Sequence, residues 1–169
     1  PTMYRDIMGL PKDETDVLQL KSPFPEKNRL SLIVPKTSTK YKKRSPKMFR
    51  QQGKTISDMA NNIPGNVAVF LPSYSLLGKV AANMQTCKKT IFKERRGMST
   101  EAKKQMLDQF KKFKDAGAVL LGVASGSFAE GIDLPGDLLK GVIIVGLPLG
   151  RPDLETKALI NYYDKKFGK

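Results

Sequence analysis

Small residues, hydroxyls and carboxylates are concentrated in one short stretch of this chain, Ser125-Gly126-Ser127-Phe128-Ala129-Glu130-Gly131-Ile132-Asp133. Glycines allow the backbone to approach a phosphate or a base closely, and serine hydroxyls and backbone N–H groups can bond phosphate oxygens. Glu130 and Asp133 add two carboxylates beside these donors. The pattern predicts a loop that binds phosphate and places acidic groups next to it. Two structural alternatives stay open: Ser127 in a plain strand-end turn, and Asp133 capping local N–H groups.

This stretch must be positioned by the apolar run that precedes it, Ala118–Val123. A second apolar run, Val142–Leu147, follows it, and a third, Val67–Leu71, occurs earlier in the chain. Runs without polar alternation are typical of parallel strands, and we expect all three to be central strands covered on both faces. Ligands of α/β proteins bind at loops that leave the carboxyl ends of such strands. The sequence thus places the loop at a working edge of a sheet.

Helical signals alternate with the predicted strands. Ser99 is predicted to cap a helix whose apolar residues recur at helical spacing: Ala102, Met106, Phe110 and Phe113. Another helix is predicted around Leu154, with Pro152 at its first position. Short strands are predicted at Leu30–Val34 and Thr90–Lys93. This alternation predicts an α/β fold, a three-layer sandwich around a mainly parallel central sheet.

Positive charge is distributed unevenly along the chain, whose net charge is +14. Between Lys27 and Ser57 there are many Lys and Arg residues and no Asp or Glu. A basic stripe with interleaved aromatic residues such as Tyr41 suits a polyanionic partner, with phosphates on the cations and bases on the rings. The alternative is a solvated, mobile loop. We predict nucleic-acid contact by four residues of this stripe: Lys40, Lys42, Lys43 and Arg44.

The composition excludes several kinds of chemistry. Cys87 is the single cysteine, which rules out an internal disulfide and a four-cysteine iron–sulfur site within this sequence. Histidine is absent, so we expect neither the usual zinc sites nor histidine-based acid–base catalysis. Because no transmembrane run or leader occurs, we expect no membrane partner and an intracellular location, cytoplasmic or nuclear. A length of 169 residues predicts one domain over residues 1–169.

Short motifs run in order along nearly the whole chain: Pro1–Leu10, Ser22–Pro25, Val69–Tyr74, Gly126–Asp133, and Leu147–Leu149 with Pro152. The third and fourth resemble motifs IV and V of superfamily 2 helicases, in the form found in the XPD and DinG branch. The first looks like the segment after motif III, and the others are similar to the segments that flank motifs IV and V. The resemblance implies the second RecA-like motor domain of an XPD-family DNA helicase, with a P-loop-NTPase-type fold that lacks its own P-loop.

The resemblance also implies roles for individual residues. Ser73 and Tyr74, at the end of the motif IV strand, would face single-stranded DNA, although Tyr74 also fits an aromatic residue at the edge of the core. The first part of motif V would hold DNA phosphate through Ser125, Gly126 and Ser127. Its last part would face the first motor domain of the same parent chain and couple DNA grip to nucleotide state through Glu130, Gly131 and Asp133.

Catalysis in such a helicase needs parts that lie outside this sequence. By the resemblance, the Walker A and acidic metal-binding motifs belong to the first motor domain, and the arginine-bearing motif VI would follow residue 169. ATP and Mg²⁺ would be shared with that domain, and a 4Fe–4S cluster would lie elsewhere in the parent protein. We therefore expect no complete catalytic set and no ATP turnover in this chain alone. Gly53-Lys54-Thr55 mimics the end of a P-loop, but Met48 stands where that motif needs glycine.

The resemblance implies that the intact enzyme moves 5′ to 3′ on single-stranded DNA at the expense of ATP, in nucleotide excision repair. A DinG-type helicase domain is the nearest alternative, and flanking domains would distinguish the two. A non-enzymatic nucleic-acid-binding α/β module is an alternative from another class. A dinucleotide-binding domain is disfavoured because the early glycine fingerprint after a first strand is missing.

Overall fold

The computed structural model describes residues 2–147 and 153–168, which divide into two compact units. The larger unit spans Val34–Leu149, and the smaller unit combines Pro1–Ile33 with Gly150–Lys169. The prediction of a single domain over residues 1–169 stays a prediction. The elements are α1 (Thr2–Ile7), α2 (Pro46–Asn62), β1 (Val67–Leu71), α3 (Tyr74–Ala81), β2 (Thr90–Lys93), α4 (Thr100–Lys112), β3 (Ala118–Val123), β4 (Gly141–Ile144) and α5 (Leu154–Phe167).

The larger unit is built on a four-stranded sheet with the order β2-β3-β1-β4. All three strand pairings are parallel; Val67 lies opposite Val119 in β1–β3, and Thr90 lies opposite Ala118 in β2–β3. The helices α3 and α4 connect successive strands, as parallel pairing requires. The predicted mainly parallel α/β architecture is confirmed.

Hydrophobic cores form on both faces of the sheet. One core joins α2 and α3 to alternate residues of β1 and β3, including Val69 and Leu121, which are fully buried. The other contains Phe110 of α4, with Met106 and Phe113 packed against it, as the helical spacing predicts. Burial of a large apolar side chain stabilises a fold by about 1.5–3 kcal/mol. The two cores hold β1 and β3 rigidly in the middle of the sheet.

Local sequence signals set the helix boundaries. Ser99 caps α4, because its side chain accepts a hydrogen bond from Ala102 N at 3.2 Å. Glu101 lies in the first turn, where its own backbone N–H and the Ser99 side chain lower the pKa of its carboxyl. The cap predicted from the sequence is confirmed, and it fixes where α4 begins on the sheet.

The predicted strand at Leu30–Val34 is wrong, since these residues have no strand pairing and their side chains are exposed. The apolar run Val142–Leu147 also differs from its prediction. It forms β4 only over Gly141–Ile144, and β4 is an edge strand of the sheet in the described residues. Its side chains alternate, with Ile143 7% exposed and Ile144 66% exposed. An apolar run does not by itself show that both faces are covered.

The smaller unit contains α1 and α5. Asp153 caps α5, because its side chain accepts a hydrogen bond from Thr156 N at 2.8 Å and the helix begins at Leu154. The helix predicted around Leu154 is therefore confirmed. Pro152, predicted at the first helical position, lies outside the described residues, as do Pro1, Pro148 and Leu149.

Candidate nucleic-acid interface at the carboxyl edge of the sheet

Three connections meet at the carboxyl edge of the parallel sheet. The chain leaves β1 at Ser73 and Tyr74, leaves β2 at Glu94, and leaves β3 into residues 124–135, which we call the β3 loop. Parallel strands end at the same edge, so these connections lie side by side. The predicted phosphate-binding and acidic residues of motif V all lie in the β3 loop.

Glu94 is the central polar group of this edge. It is 2% exposed, and its carboxylate accepts three hydrogen bonds. Oε1 accepts from the Tyr74 hydroxyl at 3.0 Å and from Ser127 N at 3.1 Å, and Oε2 accepts from Val123 N at 2.8 Å. A carboxylate can be buried only when such donors replace its water shell. Sequence reasoning missed Glu94, since a glutamate between Lys93 and Arg95 is typical of a solvated surface.

The Glu94 carboxylate lies directly against Gly126. A Cβ placed on Gly126 would lie 2.6 and 2.7 Å from the two carboxylate oxygens and 2.9 Å from Val123 O. These distances are shorter than van der Waals contact, so a side chain at this position would displace the carboxylate. Gly126 is therefore needed for packing inside the protein, whatever it contacts outside.

Several of the predicted phosphate donors are already engaged. Gly126 N donates to Val123 O at 2.7 Å, and Ser127 N donates to Glu94. The side chains of Ser125 and Ser127 are exposed. The groups that this loop can offer to a phosphate are therefore mainly the two serine hydroxyls, rather than the N–H groups of Gly126 and Ser127.

Tyr74 lies in the first turn of α3 and faces both the core and Glu94. Burial raises the pKa of the Tyr74 hydroxyl, and its hydrogen bond to Glu94 raises it further. The Arg96 guanidinium lies 5.6 Å from the centre of its ring and offsets part of that rise. The hydroxyl proton is committed to Glu94, so Tyr74 is not a free donor in this conformation.

Ser73 caps α3. Its side-chain oxygen accepts a hydrogen bond from Leu76 N at 3.3 Å. Its own hydroxyl hydrogen is left to reach an outside acceptor, because a hydroxyl can donate and accept at once. The structure therefore assigns Ser73 a structural role at the position predicted to face DNA, and the two roles are compatible.

The second half of the β3 loop alternates between buried and exposed side chains. Phe128 is 2% exposed and joins the core under α4, with Ile132 packed against it. Glu130, Gly131 and Asp133 are exposed. Gly131 has a φ of +73°, a conformation that favours glycine. Within residues 2–147 and 153–168 the Asp133 carboxylate accepts no hydrogen bond, so the local-cap alternative has no support there.

The basic segment forms a short 3₁₀ turn, Tyr41–Lys43, just before α2. The four predicted contact residues are exposed: Lys40, Lys42, Lys43 and Arg44. Gln52, which is 1% exposed, donates from Nε2 to Ser38 O at 3.1 Å and so ties the segment to α2. Arg44 donates to Thr39 O at 3.2 Å and lies 5.5 Å from the centre of the Tyr41 ring. The segment is joined to α2 at Ser38, and its four exposed cations leave both the nucleic-acid contact and the solvated-loop alternative open.

A surface groove joins this segment to α3. Tyr41 and Arg44 line it together with Ser75, which follows Tyr74. Two further cations line it: Arg50, which belongs to the basic stretch between Lys27 and Ser57, and Lys79, which the sequence analysis missed. Lys79 lies in α3, and only the packing of α2 on α3 brings the two cations together. The groove therefore extends the basic surface toward the start of α3.

The described residues form neither a P-loop at Gly53-Lys54-Thr55 nor a side-chain cluster that suits a metal ion. Gly53, Lys54 and Thr55 lie inside α2, which is not the geometry of a phosphate-binding loop. Among these residues there is also no group of three or more His, Cys, Asp or Glu side chains that could hold a metal ion. None of the described helices is both long enough and apolar enough to cross a bilayer.

Comparison with known proteins gives consistent matches. The model of the helicase C-terminal domain family matches residues 56–169. The chain is 34% identical over 142 residues to the ATP-dependent DNA helicase chl1 of Aspergillus niger. The aligned region covers 72% of this chain and 16% of that protein. It is 32% identical over 145 residues to the ATP-dependent DNA helicase DinG of Photobacterium profundum, which covers 83% of the chain and 20% of that protein.

Solved structures of XPD helicases share the fold. One, of an apo form, superposes with a TM-score of 0.58 at 26% identity, and the match covers 79% of this chain and 26% of that chain. Another superposes with a TM-score of 0.56 at 27% identity, and the match covers 75% of this chain and 22% of that chain. The chain thus spans about a quarter or less of the length of the proteins that it matches.

Proposed function

This chain belongs to the family of helicase C-terminal domains, and on that basis we propose that it is the second RecA-like motor domain of an ATP-dependent DNA helicase. In this proposal it grips single-stranded DNA at the carboxyl edge of its sheet. It also completes an ATP site with the first motor domain of the same parent chain. Movement from 5′ to 3′ and work in nucleotide excision repair inside the cell belong to the same proposal, by analogy with XPD.

The observation that carries the proposal is the division of labour within the β3 loop. Phe128 is buried, whereas the hydroxyls of Ser125 and Ser127 lie exposed before it and the carboxylates of Glu130 and Asp133 lie exposed after it. A loop anchored at its middle can bind one ligand with each half. Such a connection supports coupling between a phosphate contact and a nucleotide cleft.

The basic surface supports a nucleic-acid partner for the same edge. Arg44, Arg50 and Lys79 line one groove with Ser75, and Lys40, Lys42 and Lys43 stand exposed beside it. The aromatic ring of Tyr41 in the same groove offers a surface on which a base can stack. Phosphate attraction without sequence preference suits an enzyme that must move along a strand.

Nucleotide binding would be shared between domains. When bound, ATP with Mg²⁺ would supply the free energy that alternates the grip on DNA. Glu130, Gly131 and Asp133 are the residues of this chain that would approach it, and their exposure fits a surface completed by another domain. The chain alone would then turn over no ATP. A 4Fe–4S cluster would lie elsewhere in the parent protein, since Cys87 is the single cysteine here.

The test compares Asp133→Asn with Ser127→Ala in the full-length parent. Asp133→Asn is expected to leave DNA affinity within a few-fold while it strongly reduces DNA-stimulated ATP hydrolysis, because it alters the cleft side of the loop. Ser127→Ala is expected to weaken DNA binding by about 1 kcal/mol, the typical net contribution of one hydrogen bond. Asp115→Asn, an exposed carboxylate in the turn before β3, is the matched control and should change neither quantity.

Two outcomes would reject the proposal. Wild-type hydrolysis and DNA binding in both stable variants would show that the β3 loop is not the coupling element. DNA binding by the parent without any ATP hydrolysis would favour the non-enzymatic nucleic-acid-binding module. A DinG-type helicase remains the alternative within the family, since the P. profundum relative carries that name.

A further inference from the structure

A buried carboxylate ties the β3 loop to the start of α3. We propose that Glu94 is a positioning residue, which holds the loop in its DNA-gripping conformation before DNA arrives. This inference rests on the function proposed above, because it assigns the loop to DNA. It concerns a residue that follows β2, outside the helicase motifs that the sequence analysis identified.

Glu94 joins groups that are distant in the chain. It is 20 residues from Tyr74, 29 from Val123 and 33 from Ser127. Through these bonds one side chain links the end of β2, the first turn of α3, the end of β3 and the β3 loop. The backbone also pairs here, with Glu94 N donating to Leu121 O at 2.9 Å. No sequence-local hydrogen bond could fix the loop relative to α3 in this way.

Both carboxylate oxygens are needed as acceptors. Oε1 accepts from the Tyr74 hydroxyl and the Ser127 amide, while Oε2 accepts from the Val123 amide. An amide in the same place has one acceptor oxygen and one NH₂ group, which cannot accept. Glu94→Gln therefore leaves at least one backbone N–H facing another donor, although the side chain keeps nearly the same shape.

The position of the Ser127 hydroxyl depends on this bond. Ser127 donates its N–H to Glu94 and exposes its side chain, so fixing the amide restricts where the hydroxyl can go. A site that is ordered beforehand spends less binding free energy on ordering when its ligand arrives. Loss of Glu94 should therefore raise the DNA concentration needed for activity, whereas saturating DNA should restore the ordered loop.

The experiment uses Glu94→Gln in the full-length parent. We expect the single-stranded DNA concentration for half-maximal ATP hydrolysis to rise about tenfold, while kcat at saturating DNA stays within about twofold of wild type. Tyr74→Phe removes one of the three donors and should give a smaller rise in the same direction. A role in folding alone would instead lower kcat with the folded fraction and leave the half-saturating concentration unchanged.

Asn66 provides a matched control at the opposite, amino edge of the sheet. It is fully buried and donates from Nδ2 to Phe110 O at 2.9 Å, while its Oδ1 accepts from Ala118 N at 2.9 Å. Asn66→Asp replaces an amide with a carboxylate, the opposite of the change in Glu94→Gln, within a comparable buried hydrogen-bond network. We expect it to lower the melting temperature without changing the half-saturating DNA concentration.

Hydrogen exchange of the full-length protein gives a readout that does not depend on activity. Without DNA, peptides covering residues 124–134 should exchange faster in Glu94→Gln than in wild type, and peptides from α4 should not. Unchanged exchange in this loop, or a fall in kcat at constant half-saturation, overturns the proposal. If wild type hydrolyses no ATP, the proposed function fails, but loop exchange still decides the role of Glu94. If Glu94→Gln does not fold, Tyr74→Phe decides it by the same two measurements.

Discussion

Gly126→Ala tests whether the buried carboxylate is held where the structure places it. The added methyl would meet the Glu94 oxygens at 2.6 and 2.7 Å and Val123 O at 2.9 Å. Carboxylates at the ends of flexible side chains usually move aside at little cost. This one cannot do so freely, because three hydrogen bonds hold it and it is 2% exposed.

The expected cost follows from these contacts. Forcing a methyl group into a filled site costs about 1–3 kcal/mol. Displacing the carboxylate also weakens hydrogen bonds to a charged acceptor, each contributing about 1.5–3 kcal/mol. The substitution will avoid part of each cost by shifting the loop, so we expect a total of about 2–3 kcal/mol. For a chain of this size that lowers the melting temperature by about 4–12 °C.

Thermal and urea unfolding of the 169-residue chain, followed by far-UV circular dichroism, measures the effect. Gly78→Ala is the matched control, because Gly78 lies exposed within α3 and an added Cβ there meets no heavy atom within 4 Å. It should stabilise the chain by about 0.5–1 kcal/mol, the difference between alanine and glycine in a helix. If both substitutions give the wild-type midpoint or a higher one, the Glu94 carboxylate does not occupy the space beside Gly126.

Tyr74→Phe should reduce the loss of stability at alkaline pH. Burial and the hydrogen bond to Glu94 raise the pKa of Tyr74 in the folded state above 10.0, its value in the unfolded chain. The protonated hydroxyl therefore contributes its full stabilisation of the fold below about pH 10, and this stabilisation is lost as the pH rises through the pKa of the folded state. Urea midpoints measured below and above pH 10 should therefore fall less in the variant, and equal falls would contradict the raised pKa of Tyr74. Replacing Lys40, Lys42, Lys43 and Arg44 with Gln should weaken single-stranded DNA binding by the full-length parent. Each lost phosphate contact should reduce the slope of log affinity against log salt by about 0.7, whereas an unchanged slope would show that the basic segment does not contact DNA.

The central strands and α4 could be predicted because their signals are local. Ala118–Val123 is apolar throughout, and the structure buries every residue of β3. Ser99 precedes a helix with regularly spaced apolar residues, and it forms the predicted cap. In both cases the signal lies in neighbouring residues of the sequence. It therefore does not depend on which distant segment packs against them.

The failed predictions concern partners rather than local conformation. Leu30–Val34 has strand-like composition, but an extended segment becomes a strand only when another segment pairs with it. Val142 is apolar yet 54% exposed, because β4 lies at the sheet edge in the described residues and only one of its faces meets the core. The apolar composition of these two segments indicates neither whether a partner strand exists nor whether the strand lies at the edge of the sheet.

The exposed parts of the candidate site were proposed from the sequence, whereas its interior was missed. Several reactive residue types share one short loop, which is why the sequence analysis singled out Ser125, Ser127, Glu130 and Asp133. Glu94 stands alone between two cations, and its burial depends on Tyr74 and on the β3 loop folding over it. The available signal was its position directly after a strand, at the edge where neighbouring parallel strands also end.

The contact between Glu94 and Gly126 has an evolutionary consequence. One small volume holds either the two carboxylate oxygens or a methyl group, so neither position can change freely while the other stays the same. A lineage that acquires alanine at position 126 gains a tolerable neighbour only if the residue at position 94 becomes shorter. Each substitution would be deleterious alone, and the two would be acceptable together. We therefore expect positions 94 and 126 to covary among relatives, although they lie 32 residues apart in the sequence.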